Sequence, residues 1–236
     1  MIEDAQIILE YLPSYYFTEK EQEYLPFLWD TFVCNYKNEK YQFSFLAYHM
    51  LFMMFVYFSI WKIKTIRHDC FQKALIGFGK DIEKKFIDAV TPFSFSELNE
   101  RSIFRFFKLI GFNNSKIGQW IKIIDKRNDV AHSNGNIFFE SQEQLDENIA
   151  GIIECVEQIQ KNMKDVLFAI YTDSLKEEDE NFEHFQETLL RQNCFSQQDM
   201  KACLAFDFDA VSVSGKKRLM GKIKKQYIEA YGVGNE

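Results

Sequence analysis

The chain has 236 residues and a formal charge of −7 at pH 7, which excludes a general basic coat for nucleic acid and leaves only local patches for such contacts. Hydrophobic residues make up 47% of it and 25 residues are Phe, enough for the core of one ordinary domain with at most a small appendage. Cysteines stand at 34, 70, 155, 194 and 203 without a Cys-x-x-Cys pair, and no secretory leader pattern opens the chain, so buried reduced thiols and a cytoplasmic location are expected.

In chain order the pattern is helical. A short first helix over 3–12 stops at Pro13, and Thr18-Glu-Lys-Glu21 reads as a capping box opening a helix with Tyr24, Phe27, Leu28 and Phe32. From Tyr41 to Trp61 there is no Asp, Glu, Lys or Arg, which meets the length criterion for a membrane span. His49, Gln42, two Ser and several Tyr interrupt that stretch, and no basic cluster precedes it, so a central bundle or interface helix is the expectation and a membrane helix the alternative. That helix is expected to run on towards Leu75, where Gly77 and Gly79 break it.

Lys80–Ala89 predicts a short amphipathic helix, and Ser94 or Ser96 a cap for the next, which carries Leu98, Phe104, Phe107 and Ile110 to a stop at Gly111. Ser115 opens a helix with Ile117, Trp120, Ile121 and Ile124 on one stripe, and Ser141-Gln-Glu-Gln144 caps a long amphipathic rod over 142–171. The divisions expected are an N-terminal helical segment (1–40), a helical bundle (41–172), an acidic linker with a short helix (173–195) and a small basic helical module (196–236). Within the last, Ser196-Gln-Gln-Asp199 is a cap, and residues 215–225 carry positive charges only.

The chemistry-bearing stretch is Lys126-Arg-Asn-Asp-Val-Ala-His-Ser-Asn-Gly135, which closes an apolar helix and opens a turn. In a continuous helix Asn128 and His132 share a face, and Arg127 lies about 140° from His132 at roughly 100° per residue. A guanidinium and an imidazole so placed reach one phosphate from two sides; the first offers a fixed fork of donors and the second exchanges a proton near neutral pH. Basic residues at a helix C-terminus also suit the macrodipole, so the spacing alone fits a purely structural role as well.

The spacing Arg127-Asn-x-x-x-His132, with Ala131 before the His, resembles the signature of the HEPN (higher eukaryotes and prokaryotes nucleotide-binding) family over about residues 40–172. The resemblance implies an all-α, HEPN-like antiparallel bundle with a small helical C-terminal appendage. It also implies a metal-independent endoribonuclease without cofactors. Arg127 would hold the scissile phosphate, His132 would act on the ribose 2′-hydroxyl or the leaving 5′-oxygen, and Asn128 would orient one of them, giving a 2′,3′-cyclic phosphate. Because the chain has one such signature and family nucleases build their cleft from two, a homodimer is implied, in a toxin or anti-phage setting with an antitoxin or defence partner. One departure is Asn134, where HepT-type toxins carry Tyr.

Basic residues expected to touch RNA are Lys126, Lys122, Arg105 and Lys108, with Arg101 and Lys116 nearby, and Lys217 and Arg218 in the C-terminal stretch. Neither DNA nor a membrane is expected as a partner. The rival readings are a non-catalytic HEPN-type scaffold that binds RNA or protein and a membrane-associated helical protein.

Overall fold

The computed structural model describes residues 2–132, 135–174 and 186–204. The fold is built around α3, Tyr41–Ile66, whose lack of charge up to Trp61 lets nearly every face go inward. Helix α1 (Ile2–Gln6), continued by a 3₁₀ turn over Ile7–Tyr11, and α2 (Glu19–Lys37) precede it, and α2 lies alongside it. After it come α4 (His68–Ala74), α5 (Lys80–Ile87), a 3₁₀ turn (Pro92–Glu97), α6 (Glu100–Phe104) running into 3₁₀ over Arg105–Ile110, and α7 (Asn114–Ala131). Then α8 (Gln142–Asn162), α9 (Lys164–Ser174), a π-helical turn (Gln186–Gln192) and α10 (Gln197–Leu204) complete the described chain. Among the described residues no β-strand occurs, so the protein is all-α.

Helices α2, α7, α8 and α9 and the Pro92–Glu97 turn all pack on α3. Phe32, Phe45, Phe52, Phe58, Phe104 and Phe107 are fully buried, and each such ring contributes roughly 1.5–3 kcal/mol over leaving it in water. By length and composition α3 could cross a membrane, but 83% of its most apolar window is covered by the protein's own helices. The core takes in Ile8, Leu28 and Phe32 from the first 40 residues and Phe195, Met200 and Cys203 from the other end.

Local cap chemistry holds at several starts. Thr18 accepts from the Glu21 amide at 3.2 Å, but the Glu21 carboxylate takes the amide of Phe17 rather than that of Thr18. Ser141 accepts from Gln144 N at 3.4 Å. Ser196 and Asp199 cap α10 reciprocally, at 3.1 and 2.9 Å. The Asp199 carboxylate also accepts from the buried ammonium of Lys62 on α3 and from Gln160 Nε2 at 2.8 Å.

Four expectations need correction. The central helix does not continue to Leu75: at Arg67 the backbone leaves helical values (φ −106°, ψ 42°), and the guanidinium donates to Leu109 O, so α4 sets off separately. The rod over 142–171 is two helices, parted at Met163 beside Asn162, whose side chain donates to Ile110 O at 3.0 Å. The cap before Phe104 is Asn99, accepting from Ser102 N at 3.4 Å, while Ser94 closes the preceding 3₁₀ turn with Thr91. Cys34 and Cys70 are exposed, unlike Cys155, Cys194 and Cys203. Lys217, Arg218 and the rest of the 215–225 stretch, and the acidic stretch from 175 to 185, lie outside the described residues.

Candidate functional site

Three helices meet in a polar cluster that lines a cleft. Asn99 starts α6 and so puts Glu100 in its first turn, where a carboxylate suits the unsatisfied amides. Helix α7 brings Arg127, whose Nη2 donates to Glu100 Oε1. From α3, His49 bonds through Nε2 to Glu100 Oε2 at 3.3 Å, and its Nδ1 is buried with no hydrogen-bond partner among the described residues. The pair partners differ in exposure: the His49 side chain is 2% exposed, Glu100 16% and Arg127 29%.

Burial pushes the His49 imidazole below its ordinary value, only partly opposed by the bond to Glu100. Burial also raises Glu100, but the His49 bond and the Arg127 charge outweigh it, so its carboxyl ends below the usual range. At neutral pH the cluster is therefore a neutral imidazole, a carboxylate and a guanidinium. The Nε2–H tautomer follows from the carboxylate it faces.

Both shifts make the fold lose stability on acidification. His49 held neutral begins to cost stability as pH falls below its ordinary value of 6.5, and Glu100 adds to the loss below 4.5. Thermal unfolding of the protein should therefore drop between pH 7 and pH 5, and His49→Gln, which removes the titrating ring, should flatten that slope. An unchanged slope in the variant would contradict the assignment.

The cluster lines a cleft of about 640 Å³. Its walls are largely apolar, from Leu46, Met50, Met53 and Met54 of α3, with Tyr24, Tyr57 and Phe93, while Lys20, Glu21 and Ser96 add polar groups. Glu100, Arg127 and Ser96 also line a second, more polar cleft of about 210 Å³ with Asn99, Arg101 and Asn128. Arg127 thus belongs to both.

The expected fork of Arg127 and His132 is altered. Helix α7 ends at Ala131, and His132 is its C-cap in extended backbone (φ −91°, ψ 140°), its amide donating to Asn128 O at 3.2 Å. His132 is exposed and lines neither cleft, while its amide bond to Asn128 O keeps the two residues one turn apart at the helix end. Gln42 at the start of α3 ties the end of α7 to the segment at Phe138: it donates to Val130 O at 3.3 Å and accepts from Phe138 N at 3.0 Å.

Of the basic residues, Lys126 donates to Asn148 Oδ1 and lies over the Phe139 ring at 5.7 Å, and Lys122 is exposed one turn earlier. Arg105 lies over Phe78 at 5.3 Å and lines a small cleft with Lys108 that shares no residue with the other two. Arg101 pairs with Asp125. Glu100 was missed by reading the sequence; the usable signal was a lone His in an uncharged helix, whose ring needs a polar partner from elsewhere in the chain.

Among the described residues no group of three or more His, Cys, Asp or Glu side chains is placed to hold a metal ion. Fold and site together define an all-α protein with a largely apolar cleft, lined also by a polar cluster, that includes Arg127 of an Arg-Asn-x-x-x-His segment. No protein-family model, curated protein or solved structure matches the chain.

Proposed function

We propose that the protein is a HEPN-like endoribonuclease of the bundle type, cutting RNA without a metal by attack of the ribose 2′-hydroxyl and working as a homodimer in a bacterial toxin or anti-phage setting. The observation that supports this reading is the placement of an exposed imidazole, His132, at the end of the helix whose preceding turn presents Arg127 to a cleft. An exposed His is accessible to a 2′-hydroxyl or a 5′-oxygen, and Arg keeps donors beyond the one given to Glu100 for a phosphate.

A second copy is supported by apolar exposure near the motif. On α3, Phe43 is 58% exposed, and Ile137, next to the Phe138 amide held by Gln42, is 71% exposed. A partner seated there would bring its own Arg127 and His132 towards the first pair. Phe43→Asp with Ile137→Lys should therefore yield a monomer by size-exclusion chromatography with light scattering, and cleavage should fall with it. A dimer that persists, or a monomer of full activity, would contradict the dimeric site.

The direct assay is single-stranded RNA incubated with the protein in EDTA, where cleavage is expected. One observation favours a second reading. Glu100 already compensates the Arg127 charge, as suits a HEPN-type scaffold that binds RNA or protein without cutting. RNA left intact but bound equally by wild type, Arg127→Ala and His132→Ala would establish that reading instead.

A further inference from the structure

We infer that the 640 Å³ cleft receives one unstacked base of the RNA, next to the phosphate at Arg127, and that Glu100 selects guanine there. The inference rests on the nuclease reading for its substrate but on the cleft for its chemistry. The volume lies within the range of pockets that enclose a small ligand, and the walls suit a flat ring. Tyr24, Tyr57 and Phe93 supply aromatic side chains, and Met50 and Met53 supply polarisable thioethers that adapt to a ring edge.

The polar cluster decides which ring. Glu100 gives one oxygen to Arg127 and the other to His49, so each carboxylate oxygen is held in place and keeps a lone pair. A carboxylate fixed in this way matches two adjacent N–H donors. Guanine alone among the four bases presents two, N1–H and the 2-amino group, on one edge. Its O6 is an acceptor for a remaining Arg127 donor, as guanidinium groups commonly serve guanine. Uracil offers one N–H between two carbonyls, and adenine and cytosine each offer one amino group beside a bare ring nitrogen. His49 acts as a positioning residue, fixing Glu100 through its Nε2 bond at 3.3 Å.

The test separates the two claims. Binding of the full-length protein is measured by fluorescence anisotropy with four labelled oligouridine strands, blocked against cutting by 2′-O-methyl groups and carrying G, A, C or U at one central position. The G strand is expected to bind about tenfold more tightly than the others, the scale of one good two-bond base contact. Glu100→Gln should reduce that preference to near parity, read as the ratio of G-strand to U-strand affinity, because freeing Arg127 shifts all four strands together. Tyr24→Ala should weaken all four strands alike. Equal affinity of wild type for all four strands, or a G preference that survives Glu100→Gln, would overturn the guanine pocket. The corresponding unblocked strands are then incubated in EDTA. Cutting without base preference would leave the nuclease reading standing and the pocket refuted, whereas G-selective binding without cutting would do the reverse.

Discussion

Replacing His132 by Ala is expected to lower kcat by at least about 10²-fold, the usual scale for removing an acid–base group from a transition state. The substitution is clean because the imidazole is exposed at a helix end, where truncation removes no core packing, so Tm should stay within about 1 °C. Arg127→Ala should cost at least as much activity, because a guanidinium that stabilises developing phosphate charge typically contributes about 10²–10³. That variant also strands the Glu100 carboxylate, 16% exposed, so it should lower Tm as well. Asn128→Ala should do less than either. Full activity in the stable His132→Ala protein would remove the acid–base role, however Arg127 behaves.

The second large effect concerns stability and the buried ion pair that ties α10 to the central helix. Lys62 and Asp199 are 5% and 3% exposed, and Asp199 also accepts from Gln160 and from the Ser196 amide. Asp199→Ala leaves a buried ammonium without its counter-charge and breaks the cap of α10, which should cost about 3–5 kcal/mol. For a domain of this size that is roughly a 10 °C fall in Tm. The double variant Lys62→Met with Asp199→Leu should recover much of the loss, since a buried pair repays its own desolvation poorly. Equal losses in the single and double variants, read by calorimetry, would show that the cap and not the charge holds the segment.

What the sequence disclosed and what it hid follow physical range. Caps at Thr18, Ser141 and Ser196 were legible because a side chain and an amide three residues on decide them. The burial of α3 was legible from its missing charges. The breaks at Arg67 and Met163 were not, since neither Gly nor Pro marks them and the contacts there, to Leu109 and Ile110, come from distant parts of the chain. The same holds for the site. The motif named Arg127 and His132, but only Arg127 lines the clefts, and Glu100 joined His49 to Arg127 across separations that no local pattern records. Only tertiary packing makes that cluster.

The most direct measurement of whether Arg127 and His132 cut RNA is the chemical identity of the fragment ends. After incubation of total RNA with wild-type protein in EDTA, the 3′ ends are analysed by mass spectrometry and by their resistance to polyadenylation. Ends bearing 2′,3′-cyclic phosphate opposite 5′-hydroxyls, absent with His132→Ala, are the expected result. Intact RNA, 3′-hydroxyl ends, or the same fragments from the His132→Ala protein would contradict it.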